Sequence, residues 1–334
     1  MTNITPIAKE PLLEVSGLNV RFGTKNRQVL ANNDVNLVVM PGETVGIVGE
    51  SGSGKSVLCR AILRLLNADV TARRLSFEGK GLLSLPEREM RRLRGGGISM
   101  IFQSPMSSLD PVWTIGDQLM ETLRQHDQID RTTARRRAIE LLEKVGIPAA
   151  ARRVDDYAHQ WSGGMLQRAV IALALAGRPR LILADEPTTA LDVTIQDQIL
   201  SLLLNLQAEM GMALVLVSHD LGVIAETCDR VAVMYAGRIV EEASVKRIFS
   251  APAHPYTRGL LNSMVHIDGG VERLSPIPGQ PPDLTRLGDG CAFAPRCGNV
   301  RDECLRQFVP LFDVASCQQA ACLFPTREKN VEME

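Results

Sequence analysis

The sequence predicts an α/β fold built around a largely parallel central sheet. Three observations carry this. Short β-branched runs recur along the chain, longer segments with helical spacing separate several of them, and one stretch is helical without an obvious strand. The runs at 13–20, 35–40, 44–48, 98–102, 181–184, 213–217 and 231–235 have the length and composition of strands. Apolar residues at helical spacing predict helices over 55–66, 135–145, 165–176 and 195–210. Residues 119–163 lack a strand, which predicts a helical subdomain inserted between sheet strands. After about Ser250 the texture turns rich in Pro and Gly, as in IPGQPPDL at 277–284, and a domain boundary is expected there.

Composition narrows the function classes. Of 334 residues, 45% are hydrophobic and 22% charged, the values of an ordinary soluble globular chain. With 37 basic against 38 acidic residues, a broad electrostatic grip on nucleic acid is not suggested. The arginines at 88–94 and at 135–137 read accordingly as solvated helix faces. The opening MTNITPIAKEPLLEV lacks the layout of a secretory signal, and no stretch reaches the eighteen or so apolar residues of a membrane helix. The expectation is a cytoplasmic protein whose membrane role, if any, comes through partners.

Gly49-Glu50-Ser51-Gly52-Ser53-Gly54-Lys55-Ser56 fits G-x-x-x-x-G-K-[ST] after the strand-like TVGIV and before a helix-like run, the context this phosphate-binding motif demands. Its glycines let backbone N–H groups face phosphates, Lys55 neutralises the outer phosphates, and the Ser56 hydroxyl suits Mg²⁺. The loop alone does not separate kinases, GTPases, helicases and transport ATPases. Asp185 and Glu186 end the apolar strand LILAD, where Asp185 suits Mg²⁺ and Glu186 suits the water attacking the γ-phosphate. His219, after ALVLVS, and Gln103, after ISMIF, stand at further strand ends. His219 is a candidate catalytic residue, and Gln103 a candidate ligand for Mg²⁺ or the attacking water.

Trp161-Ser162-Gly163-Gly164-Met165 discriminates further, because Ser162 has the character of an N-cap and the glycines leave N–H groups bare at the head of a long apolar helix. Over roughly 13–249 these motifs together resemble the ABC (ATP-binding cassette) ATPase family. The resemblance implies a P-loop NTPase nucleotide-binding domain at 11–252 with mixed, largely parallel sheet, antiparallel β and helical subdomains, the last at about 112–165. It implies that Ser162, Gly163 and Gly164 of one subunit close over the γ-phosphate of ATP held by another, that Ala190-Leu191-Asp192 contacts the opposite subunit, and that Phe22 stacks on adenine. Phe22 also suits a core position. Trp161 and Met165 stand where the family usually has leucine and glutamine; Met165 is familiar in the oligopeptide and dipeptide importer branch.

Five of seven cysteines fall after residue 290, and Cys291-x5-Cys297-x6-Cys304 with Cys322 gathers four thiols in a region poor in core-forming periodicity. In a chain with intracellular features this favours a soft metal centre, an iron–sulfur cluster or a structural zinc, over disulfides. Cys59 and Cys228 read as core. The extension at 253–334 resembles the tail of peptide-importer ATPases, through HPYT at 254–257, IPGQPPDL, CAFAPRC and the Cys322-Leu323-Phe324-Pro325 end. That resemblance implies a [4Fe-4S] cluster with Cys322 as fourth ligand and Cys317 in reserve. It further implies two transmembrane permease subunits, a second ATPase subunit (a paralogue or another copy), an extracytoplasmic solute-binding protein, and a peripheral position on the cytoplasmic face of the membrane. Dipeptides, longer peptides, nickel chelates and opine-like solutes all stay open. A soluble non-transport ABC ATPase and a redox-regulated ATPase are the alternatives.

Overall fold

The computed structural model describes residues 10–24, 27–189, 191–263 and 277–326. Ala190, the start of the chain and part of the C-terminal extension therefore lie outside the described residues. The chain opens with strands β1 (Leu13–Thr24), β2 (Arg27–Val39) and β3 (Thr44–Val48), followed by helix α1 (Lys55–Ile62). Short strands β4 (Asp69–Thr71), β5 (Arg74–Phe77) and β6 (Lys80–Gly81) lead to α2 (Glu87–Gly96) and β7 (Ile98–Ile101). Helices α3 (Pro105–Ser108), α4 (Ile115–Asp127), α5 (Arg131–Lys144), α6 (Ala150–Arg153) and α7 (Gly163–Ala176) follow without interruption by a strand. Then come β8 (Leu181–Asp185), α8 (Val193–Met210), β9 (Ala213–Ser218), α9 (Leu221–Thr227), β10 (Arg230–Tyr235) and β11 (Arg238–Ser244). The end of the described chain holds α10 (Val245–Ser250), α11 (Pro255–Asn262), α12 (Asp302–Arg306), β12 (Phe312–Ala315) and β13 (Gln318–Ala320).

These elements form two compact units. The first comprises the chain up to Ser16, Leu37–Glu43 and Arg73–Val215. Its β7 and β8 pair in parallel from Ile98↔Leu181 to Ile101↔Ala184, and both strands are buried throughout, as their unbroken apolar sequence requires. Helices α4, α5 and α7 pack against one another. Each start is capped: Thr114 accepts from the Asp117 N–H, Asp130 from Thr132 and Thr133, and Ser162 from Met165. The arginines at 135–137 occupy an ion-paired helix surface, with Arg135 bidentate on Asp155 at 2.7 and 2.6 Å and Arg136 on Glu140 at 2.7 Å.

The second unit comprises Gly17–Asn36, Thr44–Ala72 and the chain from Leu216. Its sheet runs β12-β13-β11-β10-β3. Only β10 and β3 are parallel, Arg230↔Val45 to Val233↔Val48; the other pairings are antiparallel. The C-terminal extension thus adds two strands to the edge of this sheet, with Ala320 opposite Glu241. Gly46 in β3 lets α9 approach closely, since a Cβ there would lie 2.7 Å from the Ile224 side chain.

Several lengths differ from the sequence expectation: β1 runs to Thr24 instead of 20, α5 begins at Arg131 instead of 135, and two further differences have a visible cause. Helix α1 stops at Ile62 instead of 66, because Arg64 adopts φ 52° and the Leu65 and Arg64 N–H groups bond back to Arg60 and Ala61 at 2.9 and 3.0 Å. This is a Schellman turn with arginine where glycine is usual. Strand β2 begins at Arg27 instead of 35, and its Asn-rich first half is tied at Asn33 N–H to Gly237 O, 2.8 Å.

Candidate functional site

The phosphate loop lies in the second unit, between β3 and α1. Gly49 and Gly54 are required there, with φ of 155° and 102°; a Cβ on either would lie 2.1 Å from Met234 O or 2.5 Å from Ala31 O. The loop is thus pressed onto the backbone of β10 and β2, while Gly52, φ 77°, faces open space. Lys55 is 5% exposed, and its ammonium donates to the carbonyls of Gly49 and Glu50 at 2.7 and 3.0 Å. Asn32 donates to Gly54 O at 3.1 Å, and the buried Ser53 hydroxyl has no hydrogen-bond partner among the described residues. Ser51 is exposed, and half-buried Ser56 follows Lys55 in the first turn of α1. A cationic group held among carbonyls, at the head of a helix whose N-cap Gly54 makes no side-chain cap bond, is chemically an anion receptor.

In the first unit, Asp185 ends β8 and is buried, and Glu186 follows with φ 48°. A glutamate in that backbone region is held at a cost of about 1–3 kcal/mol, as functional residues often are. Its carboxylate accepts from Gln103 Nε2 at 3.0 Å and from the Thr189 hydroxyl at 2.9 Å. Gln103 is exposed just beyond β7, so two parallel strands deliver Gln103 and Glu186 to one edge. Thr189 was not singled out from sequence; its position three residues after Glu186 is the signal that could have found it.

Ser162 and Gly163 are exposed at the head of α7, whose body is buried. Trp161, the departure from the family pattern, is 6% exposed and donates from Nε1 to Asp156 at 3.0 Å, which anchors the segment from behind. Asp192 is exposed and caps α8, accepting from the Ile195 N–H at 3.0 Å. In the second unit His219 is exposed directly after β9, and Phe22 is half-buried on β1.

The ABC transporter family pattern matches residues 32–189, and the oligopeptide/dipeptide transporter C-terminal region matches 240–304. A Brucella melitensis protein named as a peptide import ATP-binding protein is 50% identical over 331 residues, spanning 95% of this chain and 98% of its own. The chain belongs to the ABC transporter ATP-binding subunits of the oligopeptide/dipeptide importer family. A Brucella ovis relative of the same description is 49% identical over the same spans. Among solved structures, the ATP-binding cassette MJ0796, described as a dimer in a post-hydrolysis state bound to ADP and Pi, aligns with a TM-score of 0.63 at 29% identity, covering 70% of this chain and 98% of that one. The cbiO1 protein of Clostridium perfringens, part of an ABC transporter complex, gives 0.62 at 26%, covering 72% and 91%. As a member of this family the chain is an ATP-hydrolysing subunit.

The importer-type extension of this ABC ATPase makes contacts with β11 and the phosphate loop that sequence reasoning missed. The buried carboxylate of Glu241 in β11 accepts from the N–H groups of Ala253 and His254 and from Gln318 Nε2, all at 2.8 Å. His254 is buried, and burial pushes its imidazole down to about 4. Arg296 and Tyr256 bond to Glu50 in the phosphate loop. Cys291, Cys297, Cys304 and Cys322 line one cavity, from which the exposed Cys317 is absent. Burial raises the Cys291 thiol and pushes Cys322 up to about 11. Among the described residues, however, no group of three or more His, Cys, Asp or Glu side chains is arranged to hold a metal ion. Cys59 is buried in α1, and burial pushes Cys228 up to about 12.

Proposed function

We propose that this ABC ATPase energises import of peptides or related small solutes. The observation that carries the reading is the glycine-built loop around the buried Lys55 ammonium, in a chain whose relatives are named for peptide import. ATP is assigned to Gly49–Ser56, with Phe22 on its adenine, and its Mg²⁺ to Ser56, Gln103 and Asp185. In hydrolysis, water oxygen bonds to the γ-phosphorus while the β,γ-bridging oxygen leaves with ADP. Glu186 takes the water proton, and His219 lies among the groups that orient the γ-phosphate.

The second face of the nucleotide is assigned to Ser162, Gly163 and Gly164 of a partner ATPase subunit, with Asp192 at the same junction. Exposure of this segment and the dimeric state of the MJ0796 cassette support that reading. The main domain is proposed at 11–252 and the extension at 253–334, although the matched C-terminal region begins earlier, at residue 240. No helix among the described residues is long and apolar enough to cross a membrane, so the transport path is assigned to two permease subunits, with this chain peripheral on the cytoplasmic face. An extracytoplasmic binding protein would deliver the solute. A [4Fe-4S] cluster on Cys291, Cys297, Cys304 and Cys322 is proposed from the resemblance of the tail alone: the four thiols line one cavity, but among the described residues they are not arranged to hold a metal ion.

The test is Glu186→Gln in the assembled transporter. ATP affinity is expected to persist while turnover falls about a hundredfold or more, since the proton acceptor is lost and the phosphate loop is intact. Turnover near that of the wild type would refute the assigned role.

A further inference from the structure

Glu50 is a loop residue whose every polar group is already engaged by protein. Its N–H donates to the Tyr256 hydroxyl at 2.9 Å, and its carbonyl accepts from Ser53 N–H at 3.2 Å and Lys55 Nζ at 3.0 Å. Its carboxylate receives a parallel pair of bonds from Arg296, Nη1 to Oε2 at 2.6 Å and Nη2 to Oε1 at 2.9 Å. Phosphate contact therefore falls to the residues after Glu50, and Glu50 itself is the post to which the loop is tied.

Arg296 comes from CAFAPRC, 246 residues away, and is fixed from all sides. Its side chain is 5% exposed. Nε donates to Pro278 O at 2.8 Å, Nη2 reaches Ile277 O at 3.5 Å and Nη1 reaches the Tyr235 hydroxyl at 3.3 Å. The rings of Tyr235 and Phe293 lie beneath its guanidinium at 5.8 and 5.9 Å, and both pack with Tyr256, with ring centroids 4.5 to 5.4 Å apart. A planar fork locked in this way holds a carboxylate in position and direction, which an ammonium cannot do.

From this geometry we propose that Arg296 is a positioning residue for ATP binding: through Glu50 it sets the phosphate loop, so the C-terminal extension is a structural part of the nucleotide site. The proposal rests on reading 49–56 as the ATP loop. A rigid loop presents its N–H groups without an ordering cost at the moment of binding, so loosening the post lowers affinity.

The experiment measures binding of a fluorescent ATP analogue with Mg²⁺ to the full chain, and KM and kcat in the assembled transporter, for Arg296→Lys, Glu50→Gln and the double variant. Each single change is expected to weaken nucleotide binding about tenfold, with KM changing more than kcat. Lysine should not rescue, and the double variant should lose little more than either single one because both break the same contact. Wild-type affinity in a folded Glu50→Gln chain, or losses that simply multiply, would overturn the proposal. Glu50→Gln decides the matter alone if Arg296→Lys fails to fold. A wild-type chain that binds no ATP would instead overturn the reading of the loop.

Discussion

At the residue scale, the chemistry depends on side chains whose protonation and direction are set by a few neighbours. His254 is buried at the head of α11, where its Nδ1 accepts from the Tyr256 N–H at 3.0 Å. Its folded value near 4 lies below the ordinary 6.5, so between these values the unfolded chain binds the extra proton. Stability from this residue is present above about pH 6.5 and is lost as pH falls toward 4, by on the order of 2 kcal/mol between pH 7 and 5. Denaturant unfolding at the two pH values should show that loss, and His254→Asn should flatten it while keeping a capping group. An unchanged pH slope in the variant would count against the assignment. Asp185 and Glu186 were legible in sequence as candidate acids because an apolar strand ending in two carboxylates is a strong pattern. Thr189 was not, and neither was the pairing of Tyr256 and Arg296 with Glu50, since a threonine in a turn and partners 206 and 246 residues apart carry no local periodicity.

At the element scale, the expected strands appear because β-branched runs in a doubly covered sheet need no alternation to be recognised. Strand β11 escaped notice since RIVEEAS carries two glutamates, and Glu241 is buried only because three donors meet it. Strands β12 and β13 are too short and polar to announce themselves. Asp192 caps one element and is proposed at an interface. As the N-cap of α8, Asp192→Ala should cost about 1 kcal/mol of stability, whereas Asp192→Asn should cost little. If Asp192 also meets the opposite subunit through its charge, Asp192→Asn lowers coupled ATP turnover while its unfolding midpoint stays put. Unfolding curves and ATPase rates on the same variants separate the two roles.

At the scale of the whole molecule, the extension is joined to the ATPase by main-chain pairing at β11, by the Glu241 cluster and by the Arg296 fork. Its cysteines were legible as a group, and the cavity they share separates Cys322 from Cys317, which spacing alone could not do. Burial raises the Cys291 and Cys322 thiols, so the proposed cluster would have to displace their protons as it forms. Anaerobically purified chain is expected to carry about four irons and a visible absorbance that Cys291→Ser abolishes. Colourless, iron-free protein would remove the cluster from the account and leave the ATPase untouched.

The central claim is that ATP is enclosed by two ATPase subunits. A structure of the assembled transporter carrying Glu186→Gln and trapped with MgATP tests it most directly. The γ-phosphate should touch Lys55 of one chain and the Ser162-headed helix of its neighbour, or their counterparts in a paralogous subunit. A triphosphate contacted by one polypeptide alone, with Ser162 turned to solvent, would contradict it.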